Sequence, residues 1–193
     1  MEARPEVLKL SMGSIGIAES DDGIHWQKQD GGAAGEAVLA PSQDEGAFDS
    51  ALVGMGSLVG DRLYYFGGSS APFVMGNKTL CGVFQSIGVA QGTGPGEWTD
   101  RREVLCRGDG FDALFAASPQ VVQHAPDDWR MYYHGAGRED RVFRIGLATS
   151  RDGLHWERVG VILEPGQQGD FDAGGCSRRH VFLHGDGYSM VYE

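Results

Sequence analysis

The chain has few of the features that mark several large classes of protein. It contains no run of 18 or more apolar residues, so the sequence predicts no transmembrane helix. The first residues lack the basic region and apolar core of a signal peptide, so we expect a soluble chain, cytoplasmic or organellar if this N-terminus is the natural one. Cations are scarce, with 16 Lys and Arg against 27 Asp and Glu and a net charge of −11. This charge disfavours nucleic acid and anionic membranes as partners, because both need clustered cations.

Cysteine is too scarce for a disulfide framework or a zinc site. The three residues, Cys81, Cys106 and Cys176, are an odd number without CxxC spacing. His180 and His184 share a strand face but would be some 13 Å apart at about 3.3 Å per residue, too far to share one metal ion. We therefore expect free thiols, no metal site and no cofactor.

Glycine, in contrast, is abundant, with 31 of 193 residues. An excess of Gly without a collagen period indicates many tight turns, and many turns imply many short strands. No stretch of a dozen residues shows a helical period, whereas residues 15–19 and 145–149 alternate between apolar and other positions, which is typical of strands. The sequence therefore predicts an all-β fold.

Two markers recur in phase along the chain. The first is present in residues 15–26 (IGIAESDDGIHW) and 145–156 (IGLATSRDGLHW), and in degenerate form in residues 87–98 (IGVAQGTGPGEW). The second is a Phe-Asp pair, at residues 48–49, 111–112 and 171–172, which is followed by an extended stretch, a short turn and an aromatic strand. Each unit of about 60 residues is interpreted as four antiparallel strands, and tandem units of this kind are β-propeller blades.

In this interpretation strand A follows Phe-Asp, strand B carries the aromatic residues, strand C is the Ile-Gly segment and strand D carries the Trp. The chain, residues 1–193, is then one propeller domain with a half blade at 7–28, a blade at 49–104, a blade at 112–162 and a half blade at 172–193. Joining the half blades gives three blades, whereas propellers have four to eight. Strand B would also end as an unprotected edge. We therefore expect a fragment of a chain with roughly two more blades.

The Ser-x-Asp-Gly-x-x-Trp motif is predicted to be structural. Asp22 and Asp152 would shape a C-to-D turn, and Trp26 and Trp156 would pack between adjacent blades. The motif resembles the Asp box of sialidase propellers but is one residue shorter between Asp and Gly.

The complete pattern resembles the five-bladed propellers of the arabinanases, levansucrases and invertases. These belong to glycoside hydrolase families 43, 32 and 68, and the mannoside phosphorylases of family 130 are related. The resemblance covers nearly the whole chain and is carried by scaffold residues. It implies a glycosidase-like protein that uses acidic residues in a central funnel, with a carbohydrate as its substrate or ligand.

Asp49, Asp112 and Asp172 open strand A in each unit and would ring the funnel. Glycoside hydrolysis needs one acid to protonate the leaving oxygen and one carboxylate to activate water or attack the sugar. Family 43 members place an Asp base at the start of a strand A, so the resemblance implies a catalytic role for at least one of the three. The alternative is that each Asp only caps its loop, since every copy carries it.

Positions that vary among the copies are the other candidates. Glu193 and His134 share one repeat position, where the first copy has Phe66, and we predict Glu193 as the general acid and His134 as a ligand of a sugar hydroxyl. Arg179, seven residues after Asp172, or the adjacent Arg178 or His180, could bind a substrate carboxylate or phosphate.

Phe73, in the long loop of residues 67–85, could stack on a sugar ring. Each of these candidates has a structural alternative: a strand-end carboxylate in solvent for Glu193, an ion pair for Arg179 and surface decoration for Phe73. For the whole chain, three functions stay open: a glycan-active enzyme (a hydrolase or a phosphorylase), a non-catalytic propeller that binds glycan or protein, and an inactive relic. The oligomeric state is not predicted.

Overall fold

The computed structural model describes residues 6–9, 13–33, 37–92 and 98–193, without the side chains of residues 6–9 and 55. Residues 93–97, which belong to the degenerate copy of the first marker, lie outside these ranges. The described residues form no helix, and therefore none that is long and apolar enough to span a membrane. Their fifteen strands are β1 (Glu6–Lys9), β2 (Ile17–Glu19), β3 (Gln27–Gln29), β4 (Leu52–Val59), β5 (Arg62–Gly68), β6 (Phe73–Met75), β7 (Lys78–Cys81), β8 (Gln85–Gly92), β9 (Trp98–Leu105), β10 (Phe115–Ala125), β11 (Asp128–Ala136), β12 (Phe143–Ser150), β13 (Trp156–Leu163), β14 (His180–His184) and β15 (Gly187–Val191).

Two four-stranded antiparallel blades form the centre of the molecule. Strands β4, β5, β8 and β9 pair in that order to make the first, and β10, β11, β12 and β13 make the second. Two separate hairpins, β2–β3 and β14–β15, correspond to the C–D and A–B halves of further units. The architecture is a β-propeller of four-stranded blades, as the repeat predicted.

Consecutive units are joined at the same point of the repeat. The backbone N–H of Val53 donates to Gly13 at 3.0 Å, and that of Cys176 donates to Phe143 at 2.8 Å. Between the two complete blades, Phe115 pairs in parallel with Gln85. In each case the start of strand A is bonded to the start of strand C in the preceding unit, so these bonds fix the position of each inner strand.

The hydrophobic core lies between units rather than within them. One buried cluster combines side chains of the two blades, including Tyr64 and Val89 from the first with Met131 and Tyr133 from the second. A second cluster packs Leu39 and its neighbours against the first blade. Because each blade is a single sheet, its apolar face is buried only by the next unit.

The Asp-Gly turns are structural, as predicted, but only one of their Trp side chains packs between blades. Asp152 Oδ1 accepts the backbone N–H groups of residues 154 and 155, both at 2.8 Å. Trp156 stands edge-on to Tyr64 of the first blade, with ring centroids 6.0 Å apart, and Tyr64 donates to the Gly153 carbonyl. The prediction is wrong for Trp26, which is 62% exposed because no described residue covers that side of β2–β3.

The third strand A also departs from the prediction. We expected it to begin at Asp172, but regular pairing begins at β14 (His180), and residues 171–174 form a turn. Ser177 exchanges two backbone hydrogen bonds with Glu193, at 2.8 and 3.2 Å. Arg178, with φ of 33°, interrupts the strand immediately afterwards. Residues 177 and 193 are therefore paired, although the ladder is broken between them and β14.

The long B–C connection of the first blade contains a hairpin of its own. Strands β6 and β7 pair antiparallel, and β1 adds to β7 in parallel to complete a three-stranded sheet. Residues 7–9, which we assigned to the first half blade, pair with this insertion instead.

We expect Trp156→Ala to lower the free energy of unfolding by about 2–4 kcal/mol, because it removes a large side chain between two blades. The equivalent substitution Trp26→Ala should change it by no more than about 0.5 kcal/mol, since that ring is mostly in solvent. Urea unfolding followed by circular dichroism compares the two, and equal losses would contradict this packing.

Candidate functional site

Each Phe-Asp pair is held by a Tyr of its own unit. The Tyr65 hydroxyl donates to Asp49 Oδ2 at 2.8 Å and packs on Phe48, with ring centroids 5.8 Å apart. The second and third units repeat both contacts, with hydroxyl–carboxylate distances of 3.0 and 2.9 Å. The D–A loop is thereby fastened to strand B. The three Phe-Asp-Tyr sets are Phe48, Asp49 and Tyr65; Phe111, Asp112 and Tyr133; and Phe171, Asp172 and Tyr192.

The same packing explains the Gly of the Ile-Gly marker. A Cβ on Gly146 would lie 2.3 Å from Phe111 Cζ, and one on Gly88 would lie 2.4 Å from Phe48 Cζ. Only Gly can accept the ring so closely. A Cβ on Gly16, at the equivalent point of the repeat, would have no described atom within 4 Å. The two sequence markers are therefore two sides of one contact.

The three aspartates differ in their cationic partners. Arg158 Nε contacts Asp112 Oδ2 at 2.9 Å, and Arg101 Nη1 contacts Asp49 Oδ2 at 3.4 Å. Asp172 has no such partner among the described residues and instead accepts from the Gly166 backbone at 3.2 Å. Asp49 and Asp112 are thus enclosed in hydrogen-bonded ion pairs, which favours a scaffold role, whereas Asp172 lacks this neutralising cation.

An interruption in strand A occurs at one repeat position in all three units. The pairing register shifts between Gly54 and Ser57 in β4 and between Ala117 and Gln120 in β10. In the third unit the same step separates Ser177 from His180. The residues just before each shift pair with the residues at the end of strand B, namely Phe66, His134 and Glu193. The predicted equivalence of these three positions is therefore confirmed.

A groove opens at these interruptions. It consists of two adjoining hollows of about 450 and 360 Å³ that share Phe66, Ser118 and Arg178. Arg179 and His180 line the larger hollow. The lining of the smaller hollow includes His134, Phe143 and Glu193. Four candidates predicted from different parts of the repeat, His134, Arg179, His180 and Glu193, thus meet at one groove.

His134 is buried in an apolar part of this groove. Its ring lies 5.9 Å from the Phe115 ring and 5.7 Å from the Phe143 ring. Burial, together with the positive charges of Arg179 and Arg178, lowers the pKa of His134 to about 4. The ring is therefore neutral at physiological pH. Its Nδ1 atom has no hydrogen-bond partner among the described residues.

Arg179 is the buried cation of the groove. It is 7% exposed, and its Nη2 atom donates to the backbone carbonyls of Ser118 and Tyr132. Burial lowers the pKa of the guanidinium to about 9, which leaves it charged at neutral pH. No carboxylate of the described residues lies within 4.0 Å, and Nε has no acceptor among them. The structural alternative of an ion pair is therefore not seen for Arg179.

Glu193 and Arg178 face each other at the open side of the groove. The Arg178 Nη1 and Glu193 Oε1 atoms are 3.5 Å apart, and both side chains are mostly in solvent. His180 is also exposed and stacks on Phe182, with ring centroids 6.0 Å apart. Among the residues that line the two hollows, Glu193 supplies the carboxylate.

Phe73 lies on the inserted hairpin rather than in the groove. Its ring is edge-on to Phe84 at 5.7 Å, and Arg141 lies over it at 5.9 Å. Arg107 and Arg138 approach the same Phe84 ring, at 4.4 and 5.3 Å. Sequence inspection missed this arginine–aromatic cluster, because its members come from three separate loops with no shared spacing. A sugar-stacking role for Phe73 stays a prediction.

The remaining titratable residues do not form a metal centre in the described ranges. No three His, Cys, Asp or Glu side chains come together there in a way that could hold an ion. Cys81, Cys106 and Cys176 are free thiols, and the last is buried 3.8 Å from Asp172 Oδ2.

Comparison with known proteins identifies the fold. No protein-family model and no curated protein matches the chain. A solved structure described as a glycoside hydrolase matches with a TM-score of 0.61 at 20% identity, covering 92% of this chain and 55% of its own. A family 32 β-fructofuranosidase of Bombyx mori gives 0.61 at 16%, with 92% and 34% covered. A structure from the family 130 of mannoside phosphorylases gives 0.52 at 17%, with 72% and 42% covered.

These likenesses confirm the propeller fold that the sequence resemblance implied. At such identities they establish the fold alone. The chain spans about half the length of the first of these structures, 55%, and less of the others.

We expect Gly146→Ala to lower the free energy of unfolding by about 1–3 kcal/mol, because the new methyl group overlaps the Phe111 ring. Gly16→Ala, at the equivalent open position, is the control and should change stability by less than about 0.5 kcal/mol. Chemical denaturation of both variants measures the difference. Equal effects would show that the ring does not set the identity of this Gly.

The buried His134 should make stability depend on pH between its unfolded pKa, about 6.5, and its folded value of about 4. In this window the unfolded chain binds the proton and the folded chain does not, so acidification from pH 6.5 to 4 lowers stability, by roughly 2–4 kcal/mol from this group. His134→Phe, which copies Phe66 of the first blade, should remove that contribution. Urea midpoints at pH 4.5, 5.5 and 7 measure it.

His184→Gln is the matched control, since that side chain is exposed and its hydrogen-bond partner is the uncharged Ser189 hydroxyl. It should leave the pH dependence of the wild-type chain unchanged. A His134→Phe profile parallel to the wild type would mean that His134 titrates in the folded chain as it does in water.

Proposed function

We propose that this chain is a carbohydrate-active propeller that cleaves glycosidic bonds at the groove between the second blade and the β14–β15 hairpin. The observation that supports this most directly is the convergence of Glu193, His134 and Arg179 on one groove, in a fold shared with glycoside hydrolase structures. These residues occupy repeat positions whose chemistry varies between units. Residues that only build blades would be expected to repeat.

Glu193 is proposed as the general acid. It is the carboxylate among the groove-lining residues, and it is accessible to a ligand. A sugar that enters beside Phe66 and Phe143 displaces Arg178 and excludes water, and desolvation favours the protonated carboxyl group. The acid then gives its proton to the glycosidic oxygen as the bond to the anomeric carbon breaks.

Asp172 is proposed as the second carboxylate. It differs from Asp49 and Asp112 because no Arg of the described residues neutralises it. Asp172 and Glu193 belong to the same unit, and the Tyr192 partner of Asp172 is the neighbour of Glu193 in the chain, although Asp172 itself lines neither hollow. As base it would take a proton from the water that attacks the anomeric carbon; as nucleophile it would bond to that carbon directly.

A non-catalytic glycan-binding propeller is the second candidate. It is favoured by the burial of Asp172, which is 9% exposed with both carboxylate oxygens accepting hydrogen bonds. A carboxylate held in this way is less free to act on substrate. In that case the groove binds a glycan without changing it.

Activity measurements separate the two candidates. The chain is assayed with nitrophenyl arabinoside, xyloside and mannoside, with and without inorganic phosphate, so that hydrolysis and phosphorolysis are distinguished. Glu193→Gln should reduce kcat by at least about a hundredfold, the usual size of a general-acid effect. Asp186→Asn, in the exposed turn between β14 and β15, is the control and should keep full activity.

The three loop aspartates give a second comparison. Asp172→Asn should abolish activity while the chain stays folded, whereas Asp112→Asn should lower the unfolding free energy by about 3 kcal/mol, because it breaks a buried pair with Arg158. Glycan binding without turnover in the wild-type chain would favour the binder. Full activity in both Glu193→Gln and Asp172→Asn would refute this catalytic assignment.

A further inference from the structure

We propose that the groove selects an acidic sugar, whose carboxylate is bound by Arg179 and whose neighbouring polar group is bound by His134. The inference rests on the proposed function only in taking the ligand to be a glycan. It goes further by assigning the charge of the substrate.

The first argument is the uncompensated charge of Arg179. A buried cation is costly unless an anion or several acceptors replace its lost water. Two backbone carbonyls accept from Nη2, yet Nε is enclosed without an acceptor, and no carboxylate of the described residues lies within 4.0 Å of the guanidinium. Six other arginines of this acidic chain do have carboxylate partners, namely Arg101, Arg102, Arg130, Arg144, Arg158 and Arg178.

The second argument is the unpaired ring nitrogen of His134. Like Arg179, the ring is 7% exposed, and its Nδ1 atom has no partner in the described part of the chain. Arg179 donates to the Tyr132 carbonyl, and Tyr132 is two residues before His134 on the same side of β11, about 7 Å along the strand. The Nε atom of Arg179 and the Nδ1 atom of His134, both without partners among the described residues, thus belong to side chains that line one groove.

The third argument is the contrast with the equivalent positions. Where the third unit has Arg179, the other two have Gly56 and Pro119, and where the second has His134, the first has Phe66. The blades fold with these apolar or small residues, so the polar pair is not required by the fold. A ligand with matching chemistry accounts for both substitutions.

The free groups match a carboxylate better than a phosphate. One guanidinium N–H and one imidazole nitrogen serve two polar atoms, as a planar carboxylate with an adjacent hydroxyl presents them. A phosphate has three strong acceptor oxygens and needs more donors. Arg178 supplies a further cation at the rim once it leaves Glu193.

The test is calorimetric titration of the 193-residue chain with trigalacturonate, with its fully methyl-esterified form and with inorganic phosphate. We expect trigalacturonate to bind at least tenfold more tightly than the ester. Only the acid supplies the negative charge that can pair with the Arg179 guanidinium. Raising the salt concentration should weaken binding of the acid and not that of the ester.

Variants assign the binding to these residues. His134→Phe and Arg179→Lys should each weaken trigalacturonate binding at least tenfold. Arg151→Gln, which removes an exposed Arg at the C–D turn, should leave it unchanged. Circular dichroism checks folding, and His134→Phe keeps the test valid if Arg179→Lys does not fold, since the first blade has Phe at that position.

Several results would overturn the inference. These are equal binding of the ester and the acid, binding of phosphate but not trigalacturonate, and unchanged binding in both variants. Cleavage of neutral glycosides without a preference for acidic sugars would also overturn it, while leaving the proposed function intact. Binding of trigalacturonate that persists in a chain that cleaves no glycoside would uphold the inference and refute the proposed function.

Discussion

The hydrogen bond between a loop carboxylate and a strand-B tyrosine is the constraint on which the rest of this structure depends. It occurs in all three units, at 2.8, 3.0 and 2.9 Å. By fastening the D–A loop to strand B it determines where strand A begins, and the backbone bonds to the preceding unit then fix that strand in the ring. A carboxylate buried in this way must be satisfied, because an unpaired buried charge would cost more than the blade gains by folding.

The groove is a consequence of the same arrangement. Each strand A is interrupted a few residues after its anchored Asp, immediately beyond the residue that pairs with the end of strand B in every unit. What occupies that position differs: Phe66 in one unit, His134 in the next and Glu193 in the third. The scaffold therefore repeats while the chemistry does not. Function can change at these positions without loss of the fold, as is general for sites built on shared scaffolds.

Sequence reasoning recovered the blades because their markers are local. Ile-Gly, Asp-Gly and Phe-Asp each report a turn or a close contact, and the structure shows that Gly146 and Phe111 are two sides of one such contact. It was wrong about Trp26 and about the start of the third strand A, since both depend on which other segments pack there. It also left open which of the three aspartates has a catalytic role, whereas in the structure Arg158 and Arg101 contact Asp112 and Asp49 and not Asp172. Those arginines lie more than 40 residues from their partners in sequence, so no local pattern indicates the pairing.

The sequence by itself determined the all-β class, the four-stranded repeat and the one repeat position shared by Phe66, His134 and Glu193. These follow from turn chemistry and from side-chain alternation, which act over a few residues. Only the tertiary structure decided that Arg179 is a buried cation beside His134 and that, among the described residues, no arginine contacts Asp172. The physical reason is that burial and ion pairing depend on contacts between units, which local sequence does not specify.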